Sequence, residues 1–229
     1  MLDLSGKTAL ITGANGVLGR AVAQRAAELG ASLLLAGRGL DPELAARHRE
    51  AWMLELDLAE PGALAAALAG AGPVDLLFNI AGGFAMGDTA WEAGSGQWEA
   101  MFRVNVDTLR HSLQAVVPGM VRQGRGAVVN VGALSALRGQ ARMAAYVASK
   151  SAVLRLTESL SAEVRSHGVN VNAVLPSIID TPSNRAAMPD ADPSRWVAPA
   201  DLANVICFLG SDAARAIHGA LIPVAGLSG

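Results

Sequence analysis

The stretch Lys7-Thr8-Ala9-Leu10-Ile11-Thr12-Gly13-Ala14-Asn15-Gly16-Val17-Leu18-Gly19 decides the fold. Residues 7–12 are a short apolar run, glycines follow at 13, 16 and 19, and positions 17–29 carry Ala, Leu and Val at helical spacing, which reads as a strand, a tight turn and a helix. The cycle recurs outward from it. Apolar runs at 32–36, 52–56, 74–79, 127–131, 169–175 and 220–224 alternate with helical patterns near 41–49, 60–70, 97–122, 143–167 and 199–210. Alternation of this kind implies right-handed crossovers and a parallel sheet covered on both faces. The expected fold is therefore α/β, a doubly wound parallel sheet of about seven strands flanked by helices. No repeat or low-complexity linker divides residues 1–229, so one domain is expected. The section 176–199, punctuated by five prolines, reads as irregular, and its part 180–198 as a substrate lid.

Composition narrows the functional classes. Of the 229 residues 52% are hydrophobic and 17% charged, with a formal net charge of -2, far from a disordered chain and without the basic footprint of a nucleic-acid binder. Asp75, Asn79 and Asn130 interrupt the apolar segments, so no membrane span is expected. The lone Cys207 has no disulfide partner and no signal segment is read after Met1, which makes the cytoplasm the expected compartment. The four histidines stand far apart, without ligand spacing, and no metal is expected.

Two features carry chemistry. The glycine-rich turn at the start of a helix is where a pyrophosphate would meet backbone N–H groups, although the spacing is not the commonest dinucleotide fingerprint and a purely structural turn is the alternative. After the second strand stands Arg38, where a carboxylate would accept from a free ribose 2′-hydroxyl. An arginine there pairs with a 2′-phosphate, which favours NADP(H) over NAD(H); a solvated surface arginine is the alternative. Asp57, after the third strand, either accepts from an adenine amine or holds a turn. The chain's only tyrosine, Tyr146, precedes Lys150 by one helical turn, and Lys150 is one of only two lysines. A compact ammonium beside a phenol lowers its pKa and donates to ribose hydroxyls, and such a phenol is a general acid; an ordinary surface pair is the alternative.

These residues resemble the short-chain dehydrogenase/reductase family over essentially the full length. Thr12 to Gly19 resembles its glycine turn, with Gly16 one residue earlier than usual; Asn79-Ile80-Ala81-Gly82 resembles its Asn-Asn-Ala-Gly strand end; Tyr146-Val147-Ala148-Ser149-Lys150 matches its Tyr-x-x-x-Lys signature. Pro176 to Thr181 resembles the segment that holds the nicotinamide amide, with Ser177 in place of Gly. The resemblance implies a Rossmann-type fold and a small-molecule oxidoreductase with Tyr146, Lys150 and the proton-relaying Asn105 as catalytic residues. It also implies a homodimer or homotetramer built through the long helices and the last strand. Its cofactor shell would be Gly13, Asn15, Gly16, Val17, Leu18, Gly19, Arg38, Asp57, Leu58, Asn79, Ala81, Gly82, Tyr146, Lys150, Pro176, Ile179 and Thr181.

One departure bears on mechanism. The family's carbonyl-polarising serine lies 13 residues before the tyrosine, where this chain has Ala133, and Ser135 is two residues away. Ser135 reaching the site, a substrate that needs no oxyanion donor, and a poor enzyme are the three explanations. The second is favoured by a likeness of Val131-Gly132-Ala133, Gly82-Gly83-Phe84 and 180–196 to the dihydropteridine reductase branch, whose substrate is a quinonoid ring. A dinucleotide-binding sensor with little turnover is the rival from another class. Ala133, Ser135, Phe84, Met143 and Trp196 are expected to face the substrate.

Overall fold

The computed structural model describes residues 2–92 and 94–228. Its strands are β1 (Thr8–Thr12), β2 (Ser32–Gly37), β3 (Trp52–Glu55), β4 (Leu76–Asn79), β5 (Gly126–Val131), β6 (Val169–Pro176) and β7 (Leu221–Val224), and its helices are α1 (Val17–Glu28), α2 (Pro42–Arg47), α3 (Ala63–Ala67), α4 (Ser95–Phe102), α5 (Thr108–Gln123), α6 (Ala144–Val164), α7 (Pro182–Ala187) and α8 (Pro199–Leu209). All the strand pairings are parallel, in the order β3-β2-β1-β4-β5-β6-β7. The chain thus winds outward from β1 to one edge, returns to β4 on the other side of β1, and winds outward again. Carboxyl ends of β1 and β4 form the crevice where such a reversal leaves room for a ligand.

Central strands are buried on both faces and therefore read as continuous apolar runs. On one face α1 and α8 cover the sheet, with Leu18, Val22 and Ala26 meeting Leu202, Ile206 and the buried Cys207. On the other, Val116, Val117 and Met120 of α5 close over Leu10, Leu77, Val128 and Val171.

Three expectations are corrected. The helix expected over 97–122 is two helices joined by a π-helical turn, Arg103–Asp107, which contains Asn105; a widened turn of this kind re-aims the side chain it carries. The helix expected over 60–70 is confined to Ala63–Ala67, because Gly62 before it and Gly70 beyond it both have positive φ. The section 176–199 is not irregular throughout: it holds α7, a 3-10 turn at Pro193–Arg195, and a parallel bridge between Ile179 and Val197.

Within the sheet runs a buried polar line. Asn79 donates to Asn130 Oδ1 (2.9 Å), Asn130 donates to Thr157 Oγ1 (2.9 Å), and Thr157 donates to the Val153 carbonyl (2.8 Å). Asn130 is wholly buried, so Asn130→Ala strands a donor and an acceptor away from water and should cost about 1–3 kcal/mol. Urea unfolding should show a lower midpoint at unchanged slope; an unmoved midpoint would show that the line carries no stability.

Candidate active site

Tyr146 and Lys150 share one face of α6 near the carboxyl end of β5. Lys150 is buried, and its Nζ donates to the Val131 carbonyl at 2.9 Å. Asn105 Oδ1 accepts the Gly83 N–H (2.9 Å), while its Nδ2 donates to Gly83 O (3.1 Å) and Ser149 Oγ (3.0 Å). Ser149 in turn donates to the Tyr146 carbonyl (2.8 Å). The π-helical turn is thereby wired both to the tyrosine's helix and to the segment after β4. Gly82 passes between the two polar groups: a Cβ there would lie 2.9 Å from Asn105 Oδ1 and 3.0 Å from Lys150 Nζ.

Burial sets the protonation of the pair. It pushes the Tyr146 phenol up to about 12 and the Lys150 ammonium down to about 8. This overturns the depressed phenol expected from the spacing, for a physical reason: desolvation disfavours the charged form of each group. At neutral pH the phenol is protonated.

The Phe84 ring packs edge-on against Tyr146, centroids 4.8 Å apart at 77°. Its loop is fastened to the segment before α6 by Arg142, whose Nη1 donates to Gly87 O (2.9 Å) and whose carbonyl accepts the Gly87 N–H (2.9 Å). Arg142 adopts φ +62°, left-handed for a residue with a side chain. Phe84, Met86, Trp91 and Leu137 are exposed, Met143 is half-buried and Trp196 is buried. Ala133 is buried beside Ala136, Leu154 and Leu175, with Tyr146 packed against this cluster, and Ser135 is half-buried in the 3-10 turn Leu134–Leu137.

On the dinucleotide side the glycines divide their work. Gly13, at φ +66°, would put a Cβ 2.8 Å from the Ala81 backbone, and Gly19 would put one 2.2 Å from Gly13 O, so both serve close chain packing. At Gly16 a Cβ would meet only Gly13 O, at 3.4 Å, leaving the side toward the crevice open. Helix α1 begins there with no side-chain cap and no acidic residue in its first turn, so Val17 and Leu18 present N–H groups to an anion. These features fit a pyrophosphate. Thr12 Oγ1 accepts from the Ile80 and Ala81 N–H groups at 3.1 and 3.3 Å, holding the end of β4, with Asn79, against the turn.

Asn15 fastens the turn to the loop after β2, donating to Gly39 O at 2.6 Å. Arg38 is 76% exposed and lies 3.9 Å from Asp57. Asp57 acts as a turn carboxylate, accepting the Ala59 N–H at 2.9 Å, and it meets Arg103 at 3.2 Å; that backbone bond chiefly, then Arg103 and Arg38, hold it below the usual carboxylate range. Leu58 beside it is buried. Arg103 and Glu55, which accepts from the Gly39 and Leu40 N–H groups, were not legible in the sequence, because neither has a local spacing to its partners.

After Pro176, Ser177 donates to Ala225 O (2.8 Å) and so belongs to the C-terminal contact. The Ile179 carbonyl accepts from Asn184 (2.8 Å), and Thr181 caps α7 by accepting the Asn184 N–H (3.2 Å), leaving its hydroxyl proton free to donate. Arg185 is committed to Asp180 by bonds of 2.6 and 2.7 Å.

Residues 7–192 match the family model described as short chain dehydrogenase. The chain is 32% identical to a 2,5-dichloro-2,5-cyclohexadiene-1,4-diol dehydrogenase of Sphingobium indicum, over 97% of this chain and 96% of that one. Its fold superposes on a gluconate 5-dehydrogenase from Burkholderia cenocepacia in complex with NADP and tartrate, with TM-score 0.90 and 29% identity, covering 99% of this chain and 96% of that one. It superposes also on a carveol dehydrogenase from Mycobacterium avium in complex with NAD, with TM-score 0.88 and 25% identity, covering 100% of this chain and 99% of that one.

The buried ammonium makes stability depend on pH. An unfolded lysine keeps its proton to about 10.5 whereas folded Lys150 releases it near 8, so the unfolded state binds more protons between these values and raising the pH stabilises the fold. From pH 7 to pH 10 the native protein should gain about 2–3 kcal/mol relative to Lys150→Met. Parallel pH profiles in urea unfolding would refute this; above pH 10 the raised Tyr146 works in the opposite direction.

Proposed function

The chain belongs to the short-chain dehydrogenase/reductase family and is an oxidoreductase of that type, and on this premise we propose that it moves hydride between NADP(H) and a small alcohol or ketone, with Tyr146 as the general acid/base. The observation that carries the proposal is a half-buried phenol, protonated at neutral pH, one turn from a buried lysine and beside an open helix start that suits a pyrophosphate. The bound nicotinamide would supply or accept the hydride. Tyr146 gives its proton to the substrate oxygen as negative charge develops there, and takes it back in oxidation. Lys150 holds the ribose hydroxyls, and Asn105 keeps the proton path on the Gly83 side in register. A phenol that rests protonated suits the reductive direction at neutral pH.

Arg38, 76% exposed and only loosely paired with Asp57 at 3.9 Å, supports NADP(H) over NAD(H). Gly13, Asn15, Gly16, Gly19, Asp57, Leu58, Asn79, Ala81, Gly82, Pro176, Ile179 and Thr181 complete the proposed cofactor shell. Residues 180–198 act as a lid over a substrate whose other walls are Phe84, Met143, Ala133 and Ser135, an apolar lining that suits a flat or apolar molecule. The diol, gluconate and carveol named for the relatives support an alcohol/ketone substrate and do not favour a dihydropterin. A cytoplasmic homodimer or homotetramer is part of the same reading.

Tyr146→Phe tests it. Turnover of NADPH with a ketone panel should fall about 10²–10⁴-fold while NADPH still binds; retained turnover would refute the assignment. Ala133→Ser restores the missing donor and should raise ketone turnover at least about tenfold. No gain would show that the substrate oxygen is polarised from elsewhere, Ser135 being next to replace.

A further inference from the structure

The loop after β2 already holds an anion of its own. Glu55, the last residue of β3, accepts the Gly39 N–H through Oε1 at 2.6 Å and the Leu40 N–H through Oε2 at 2.8 Å. Gly39 adopts φ +59°, which turns the two successive N–H groups toward one acceptor, a backbone concavity of the type that binds phosphates. These two groups follow Arg38 directly in the chain. Among the described residues the ion-pair partner of Arg38 is Asp57, at 3.9 Å, and Asp57 is closer to Arg103 at 3.2 Å. The main-chain donors beside Arg38 are thus filled by a carboxylate, while the guanidinium is exposed and only loosely paired with Asp57.

We propose that Glu55 is a specificity-determining residue that opposes Arg38 in the choice between NADPH and NADH. The inference rests on the reading that this loop receives the adenosine ribose. A 2′-phosphate meets attraction from Arg38, repulsion from Glu55, and backbone donors that are already occupied. A 2′-hydroxyl can donate to the Glu55 carboxylate. The chain therefore takes both cofactors, with a preference for NADPH smaller than Arg38 alone would give.

Fluorescence titration of the nucleotide-free protein with NADPH and with NADH tests this, on the native chain and on Glu55→Gln, Glu55→Ala and Arg38→Ala. Glu55→Gln keeps an acceptor for the loop but removes the charge, and should raise the NADPH-to-NADH affinity ratio about tenfold, less at high salt. Glu55→Ala should shift the ratio the same way, provided its melting curve shows a folded protein. Arg38→Ala should lower the ratio. An unchanged ratio in both Glu55 variants, or an equal fall for the two nucleotides, would reduce Glu55 to a loop fastener and overturn the inference alone. Failure of the native chain to bind either nucleotide, or an Arg38→Ala variant with an unaltered ratio, would overturn the reading beneath it as well.

Discussion

Two backbones approach so closely at the switch point that no side chain fits between them. Gly13 leaves β1 in a left-handed conformation with its α-carbon turned toward Ala81, where an added Cβ would stand 2.8 Å away, and Thr12 Oγ1 takes the N–H groups of Ile80 and Ala81 across the same gap. With β1 and β4 held together there, α1 begins over the crevice and the segment after β4 is delivered to Asn105 and Lys150. Gly82 repeats the device a few residues later. The site is therefore shaped by where side chains are forbidden as much as by where they act.

Electrostatics follow from that packing. Protein atoms packed around Lys150 and Tyr146 desolvate both, and both are driven toward their neutral forms. With its proton released near 8, the Lys150 ammonium still prevails at neutral pH, and its Nζ donates to a neutral carbonyl, Val131 O. Such a pair is poised, since any anion or hydroxyl brought beside Nζ moves both groups.

The fold was legible in the sequence because doubly burying a strand demands an uninterrupted apolar run, and seven such runs, separated by helical patterns, stand in this chain. Tyr146, Lys150 and the glycine turn were legible for a similar reason: their geometry is local, one helical turn or one strand-to-helix turn. What escaped was non-local or main-chain in nature. The π-helical turn around Asn105 depends on Gly83 and Ser149, and Glu55 and Arg103 find their partners across neighbouring elements. The protonation of Tyr146 was misread because spacing reports which groups are near and says nothing about how much water is left between them.

The fastening of Arg142 to Gly87 joins the loop that bears Phe84 to the segment that leads into α6, and Phe84 lies against the Tyr146 phenol itself. Loop shape on this side and the position of the Tyr146 hydroxyl are thus one mechanical unit. A lineage that altered the 84–91 loop to admit a new molecule would disturb Tyr146 as well. Across the cleft, 180–196 is bracketed by the Ile179–Val197 bridge and fastened at Arg195 to the Leu227 backbone. Divergence in what the enzyme accepts is therefore freest on the 180–196 side, while the 84–91 side drifts only in step with the chemistry.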